Sequence, residues 1–244
     1  MEIDILFSEE DIVEYDSFLE LVKSRRSIRR FKPDPIPDDY VDKIVEAARY
    51  APSGANSQPW EFVIVKKQEL KNGIVQIMRD ARAQSNNRGA ERTGPPQSSY
   101  DVTIAPVFIL LLGDNRTRAA LPRGAGSDER KWNSVLTSSL SSAFLYMHLA
   151  VTSLGLGSQW QSGVERPDTA PGIKQFLGIP ETMHIYDMMV VGYPDAGPSP
   201  KLLRDRQEMV HYDYCGEESF RKDEEVTDFI SRARSTAQGV TARE

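Results

Sequence analysis

The sequence predicts an α/β or α+β protein built on a mainly antiparallel or mixed sheet, and three features predict it. Apolar residues recur at helical spacing in several separate stretches. Apolar, β-branched runs at Phe62–Val65, in 107–112 and in MHIYDMMVVGYP have the character of buried strands. The two kinds of segment are interspersed, as in a domain whose helices pack on a sheet.

From Ser17, Phe18, Leu21 and Val22 define a helix that runs into a dense basic cluster. Pro33, Pro35 and Pro37 force an extended connection, and Asp38 and Asp39 then open a helix with Val41, Ile44, Val45 and Ala48 on its apolar face. Pro52 to Pro59 is a polar loop of small residues feeding Phe62–Val65, a run typical of an internal strand. Helical spacing resumes over Lys67–Met78, whereas 83–99 lacks periodicity and predicts a mobile loop. A strand around Val107–Leu112 precedes a second irregular stretch, 113–128, which carries Arg116, Arg118 and Arg123 and is a second candidate lid. Trp132–Leu154 forms a long central helix whose serines permit close packing and bond back to the helix, with Gly155 and Gly157 ending it. Ser158–Gly163 is a short strand or loop, Gly172–Leu177 a helix, and MHIYDMMVVGYP the next strand. From Glu217 the chain is charged and poor in large apolar groups, which predicts an exposed, partly disordered or partner-clasping arm.

Length and charge narrow the function classes. The 244 residues, 39% hydrophobic, can bury one substantial core, so a single domain is expected. A formal net charge of −6 argues against a general nucleic-acid or membrane-surface binder. The acidic N-terminus lacks a signal-peptide pattern, and the longest apolar stretch, Ala105–Leu112, is far below membrane-spanning length. The single Cys215 excludes an intramolecular disulfide, fits the cytoplasm, and has no sequence neighbour that would activate it. His148, His184 and His211 show no metal-ligand spacing, so no metal is expected. Trp160 stands where a third fingerprint glycine would follow Gly155 and Gly157, which removes a dinucleotide-fold reading. Gln161-Ser162-Gly163 is not a hydrolase elbow.

The sharpest local feature is RRSIRRF, where Arg25, Arg26, Ser27, Arg29 and Arg30 place four guanidiniums and a hydroxyl close together. Such density suits a phosphate, which guanidinium binds with paired hydrogen bonds, but a solvated basic helix end reads equally well. Pro52, Ser53, Gly54, Asn56 and Gln58 offer donors, acceptors and a close backbone approach suited to a polar ring edge, and the same residues also populate ordinary turns. Trp60 and Trp160 suit ring stacking or a core equally.

Taken as a pair, RRSIRRF and APSGANSQPWEF resemble the nitroreductase family of FMN-dependent oxidoreductases, including its iodotyrosine deiodinase-like branch. The likeness continues through SLGLGSQWQSG, the GIP turn at 178–180, and VGYP with Lys201, Arg204 and Arg206. It spans about residues 17–212 and leaves 213–244 as a C-terminal extension of one domain over 1–244. The resemblance implies an α+β fold whose mixed or antiparallel central sheet is sandwiched by helices, in an intertwined homodimer with non-covalent FMN at the subunit interface.

Arg25, Arg26, Ser27 and Arg29 would then serve the flavin phosphate, ribityl chain and pyrimidine edge, with Arg29 stabilising charge on the reduced ring. Arg204, helped by Arg206 or Lys201, would close on the phosphate. Pro52, Ser53, Gly54 and Asn56 would line the ring from the partner subunit, and Gln161, Ser162 and Gly163 would lie near N5. A hydroxyl from Ser162 at N5 would permit stepwise one-electron chemistry. The implied activity is ping-pong transfer from NADH or NADPH to a nitroaromatic, quinone or enone. Reductive dehalogenation and FMN binding without turnover are the other readings. Arg116, Arg118 and Arg123 would either receive an anionic substrate or stay solvated. The lid of the deiodinase branch uses Glu, Tyr and Lys, and RAQSNNRGAERTGPPQSSY does not supply all three roles recognisably.

Overall fold

The computed structural model describes residues 14–87, 100–120 and 128–237. Packing divides the chain into two compact units, Met1–Ala196 and Gly197–Glu244. The first contains, in order, α1 (Tyr15–Ser24), α2 (Asp38–Arg49), β1 (Trp60–Val65), α3 (Gln68–Asn87), β2 (Val107–Asp114), α4 (Glu129–Ser153), β3 (Gly157–Gln161), α5 (Ala170–Leu177) and β4 (Met183–Gly192). The second contains α6 (Asp223–Ala237).

The strands form one sheet in the order β1-β2-β4-β3, with every pair antiparallel. β2 is buried along nearly its whole length because helices cover both faces. Val107, Ile109 and Leu111 point into a core shared with α2 and α4. Phe108, Leu110 and Leu112 point into a second core with Ile74 and Val75 of α3 and Ile173 of α5. This two-sided burial explains a continuous apolar run where a half-exposed strand would alternate. The result is the expected α+β sandwich.

α4 is the central helix that its small and apolar residues predict. Asp128 caps it by accepting the Arg130 and Lys131 N–H groups. Ser138, Ser139, Ser142, Thr152 and Ser153 bond back to carbonyls three or four residues earlier. By length and composition α4 could cross a membrane, but Trp132, Leu136, Leu140, Phe144, Met147 and Val151 are buried in the protein core.

Several expectations need correction. β1 lies at a sheet edge, pairing only with β2 among the described residues, although its β-branched run reads as internal. Trp60 and Val65 are buried and Phe62–Ile64 half-buried, and apolar character reports that burial without counting hydrogen-bonded neighbours. The expected loop from residue 83 begins later, because α3 continues to Asn87, and 88–99 lies outside the described residues. In the second irregular stretch Gly113 and Asp114 finish β2 and Asn115–Ala120 forms 3₁₀ turns, while 121–127, with Arg123, lies outside the described residues. The charged tail also forms a helix. Asp223, Glu224 and Glu225 open α6, Arg234 lies in its last turn, and the Arg221 guanidinium sits 5.5 Å over the Phe229 ring.

Candidate functional site

α1 stops at Ser24, and Arg25 leaves the helix with φ −63° and ψ 112°. The basic cluster therefore begins at a helix end, as expected, but continues as an extended ribbon against the sheet. Ser27 bridges Ser158 of β3 in parallel, and the Ile28 N–H donates to the Ser158 carbonyl at 2.9 Å. Phe31 bridges Pro194, and the Lys32 N–H donates to Tyr193 at 2.9 Å. Gly157 makes this docking possible, since a Cβ there would lie 2.8–3.0 Å from Ile28 side-chain carbons. Arg30 is neutralised by Asp195 at 2.9 Å. No carboxylate among the described residues pairs with Arg25 or Arg29. Arg25, Arg26 and Ser27 are half-buried and Arg29 is exposed, so guanidinium charge gathers at the start of β3.

Behind this ribbon stands His148 of α4, which is buried and holds the Ser158 hydroxyl through Nδ1 at 2.7 Å. Burial, seconded by the Arg25 charge, pulls its pKa down to about 3, so the ring is neutral at pH 7. Its ring stacks on Trp160 at 5.6 Å, and Phe144 meets both rings edge-on. Trp160 in turn donates its indole N–H to Asp187 Oδ2 at 2.5 Å. Burial, then the nearby Glu165, pushes the Asp187 carboxyl up to about 7.

At the other end of β3, Gln161 is half-buried, Ser162 is exposed, and Gly163 turns the chain at φ 105°. Only glycine adopts that conformation cheaply. Gln159 donates to Gln161 Oε1 at 3.0 Å, and the Gly163 N–H donates to Glu165 Oε2 at 2.5 Å. Ser158 and Gln161 are three residues apart on one strand, roughly 10 Å at 3.3 Å per residue. β3 thus joins the arginine ribbon to the Gln161–Gly163 segment.

The loop of Pro52, Ser53, Gly54 and Asn56 lies elsewhere on the same chain. The Gly54 N–H donates to Ser139 Oγ at 3.1 Å, and a Cβ on Gly54 would run into Val135. Ser139 precedes His148 by nine residues of α4, about 14 Å along the axis at 1.5 Å rise. The loop is strained. Ala55, Asn56 and Gln58 have φ of 55°, 50° and 44°, a left-handed conformation that costs about 1–2 kcal/mol per non-glycine residue. Gln58 is tied back to Ser53 Oγ at 3.0 Å and to Asn56 Oδ1 at 3.2 Å. Three such residues in one loop show a backbone that its surroundings hold in a sparsely populated conformation.

In the second unit, Arg204 donates to the Glu208 carbonyl at 2.9 Å, and Arg206 is exposed at the start of a 3₁₀ turn. Arg116 is held by Asp114 at 2.8 Å, and Arg118 lies 3.9 Å from Glu129. No cluster of metal-ligating side chains occurs among the described residues. A cavity of about 590 Å³ lies between Pro33–Asp38, Lys66–Lys71 and Asp101–Val107 and shares no residue with this site. Its buried Lys71 is committed to the Thr103 and Ala105 carbonyls at 3.1 and 2.6 Å. Sequence reading missed His148, Glu165 and Asp187 as site residues. The available signal was Asp187, a lone charge inside an apolar strand.

A sequence profile described as "Nitroreductase family" matches residues 22–193. The chain belongs to the nitroreductase family. Among relatives of this family member, it is 29% identical to a candidate NADH dehydrogenase/NAD(P)H nitroreductase of Methanothermobacter thermautotrophicus, over 77% of this chain and 82% of that one. It is 28% identical to iodotyrosine deiodinase 1 of Rattus norvegicus, over 77% of this chain and 66% of that one. A nitroreductase of Bacteroides fragilis, solved with bound FMN, shares the fold at a TM-score of 0.61 and 24% identity, covering 80% of this chain and 98% of that one.

Proposed function

We propose that this nitroreductase-family chain is an FMN-dependent oxidoreductase that passes reducing equivalents from NADH or NADPH to a small electron-poor acceptor, a nitroaromatic, quinone or enone, by ping-pong exchange. The observation that carries it is the pairing, across β3, of a guanidinium ribbon with the Gln161–Gly163 turn. The residues fit FMN. Arg25 and Arg29 have no carboxylate partner among the described residues and suit a phosphate, and the strand's span suits a ribityl chain. Bound FMN would supply the redox chemistry. The protein's own part is positional: Arg25, Arg26 and Ser27 hold the anionic end, Arg29 stabilises charge at the pyrimidine edge, and Gln161, Ser162 and Gly163 present polar groups to the ring.

Pro52, Ser53, Gly54 and Asn56 are assigned to the site of a second copy, as the family resemblance implies; on their own chain Gly54 meets α4 at Ser139, about 14 Å along the axis from His148. A homodimer agrees with the exposed apolar groups Phe18 and Val22 of α1 and Leu145 and Tyr146 of α4. The edge of β1 offers a further pairing surface. With its single cysteine the protein is assigned to a reducing cytoplasm.

The similarity to the rat deiodinase, together with a serine at position 162, favours reductive dehalogenation of a halogenated aromatic as the second reading. An absorbance spectrum of FMN-supplemented, desalted protein, followed anaerobically on adding NADH or NADPH, tests the proposal. A retained flavin band that bleaches supports it. Loss of the band, with no binding on titration, refutes it. Halide release from a halogenated phenol, without turnover of nitroaromatics, selects the second reading.

A further inference from the structure

Along β3 the side chains of Gln159 and Gln161 share one face, as alternate residues of a strand do. Gln159 lies opposite Val190 and Gln161 opposite Met188, both members of the apolar core that α3 and α5 cover. On that face the two half-buried amides form a directed chain of hydrogen bonds. Gln159 Nε2 donates to Gln161 Oε1 at 3.0 Å, and Gln161 Nε2 donates to the Ser162 carbonyl at 3.2 Å. Gln159 Oε1 is buried with no donor among the described residues. A carboxamide keeps its shape when turned end for end, so its neighbours set its polarity. The anchor here is the Ser162 carbonyl, which can only accept. It requires Gln161 Nε2 on its side, which puts Gln161 Oε1 toward Gln159 and so requires Gln159 Nε2 to meet it. Turning either amide alone sets two oxygens against each other. The orphaned Gln159 oxygen is what this arrangement sacrifices, and native proteins leave few such groups without a reason.

We propose that Gln159 is a positioning residue that locks the Gln161 carboxamide so that its Nε2 is the group offered to the ring site. The proposal deepens the flavin reading and rests on it for the statement that Gln161 faces the ring. With Oε1 engaged by Gln159 and one N–H engaged by Ser162, the second N–H of Gln161 has no acceptor among the described residues. Gln161 therefore meets a ligand as a hydrogen-bond donor. The group it suits is an acceptor, a carbonyl oxygen or unprotonated nitrogen of the ring, where electron density rises on reduction.

Other polar groups of β3 and its turn are committed elsewhere. Ser158 and Trp160 take the alternate positions of the strand, where His148 and Asp187 hold them. The Gly163 N–H is taken by Glu165. Without Gln159, the Gln161 amide keeps a single hydrogen bond at the end of a long side chain, and it regains rotamers in which Nε2 leaves its place. A donor restrained before the ligand arrives binds it more tightly, because less freedom is lost on binding.

The test combines two readouts. In the ¹⁵N-labelled full chain without flavin, the Gln161 side-chain amide signals, assigned by their loss in Gln161→Leu, are expected to move to the positions of a solvated glutamine in Gln159→Met. Methionine matches glutamine in length and also removes the orphaned oxygen, and Gln159→Leu repeats the test if that variant does not fold. In fluorescence titrations with FMN, Gln159→Met and Gln161→Leu are each expected to bind about 3- to 10-fold more weakly, the net contribution of one hydrogen bond. The double variant should bind no more weakly than Gln161→Leu alone, because Gln159 acts through Gln161. A merely structural residue would weaken binding in the Gln161→Leu background as well. Gln161 signals that stay in place in Gln159→Met, or losses of FMN affinity that add, overturn the proposal. The amide signals need no flavin, so the lock is decided separately from the flavin reading, which fails if the wild-type chain binds no FMN.

Discussion

At the scale of single residues, two buried titratable groups set opposite pH dependences. His148 binds its proton near 6.5 when unfolded but only at about 3 when folded, so acidification below 6.5 destabilises the protein. Asp187 runs the other way. Its pKa rises from 3.8 to about 7 on folding, so its favourable contribution is complete below 3.8 and disappears as pH rises toward 7. Each slope approaches about 1.4 kcal/mol per pH unit in the window between. Wild-type protein should therefore show a shallow profile from these two groups, and Asp187→Asn should expose the His148 slope. Urea unfolding across that window checks this, and identical slopes for the two proteins would count against it. Arg25→Ala should weaken FMN binding about 10- to 100-fold through lost charge-assisted hydrogen bonds, as read by flavin fluorescence titration. The sequence made the arginines conspicuous because charge density is a local property. Nothing local announced His148, and Asp187 stood out only as a lone charge in an apolar strand, because the surroundings of both depend on Ser158 and Trp160 arriving from β3.

Among elements, the docking of the ribbon on β3 depends on the absence of one side chain. Gly157→Ala places a methyl against Ile28 and should cost about 1–3 kcal/mol, with FMN affinity falling in parallel. Thermal unfolding with and without FMN measures both, and a loss of stability with intact affinity would separate the ribbon from flavin binding. Helices were the more legible elements, since periodicity reports a buried face directly. The face of α6 was present in Val226, Phe229 and Ile230 but was outweighed by the charge around it. Strand neighbours were less legible: Phe62–Val65 announces burial, yet whether a strand has one partner or two depends on residues far along the chain.

For the whole molecule, the proposed placement of the Pro52–Asn56 loop in the site of a second copy would make assembly a condition of function. Leu145, 48% exposed on α4, is a position where a carboxylate should block a second copy. Leu145→Asp is expected to sediment as a monomer and to lose flavin on desalting, while its far-ultraviolet circular dichroism stays native. A monomer that retains flavin would show that one chain completes the site. Family and layered fold were legible from two motifs and the interspersed elements, whereas the homodimer came only as what the family resemblance implies, because the number of chains per site is a property of surfaces.

β4 carries a β-bulge at Tyr186, where its register with β2 slips between Leu111 and Leu112, and this bears on how the strand tolerates length change. Asp187 and Ile185 already face consecutive residues of β2, so a chain lacking Tyr186 would keep every other cross-strand partner from Met183 to Val191. The sheet can close one residue shorter without turning a single core side chain outward. Residue 186 is thus dispensable to the ladder.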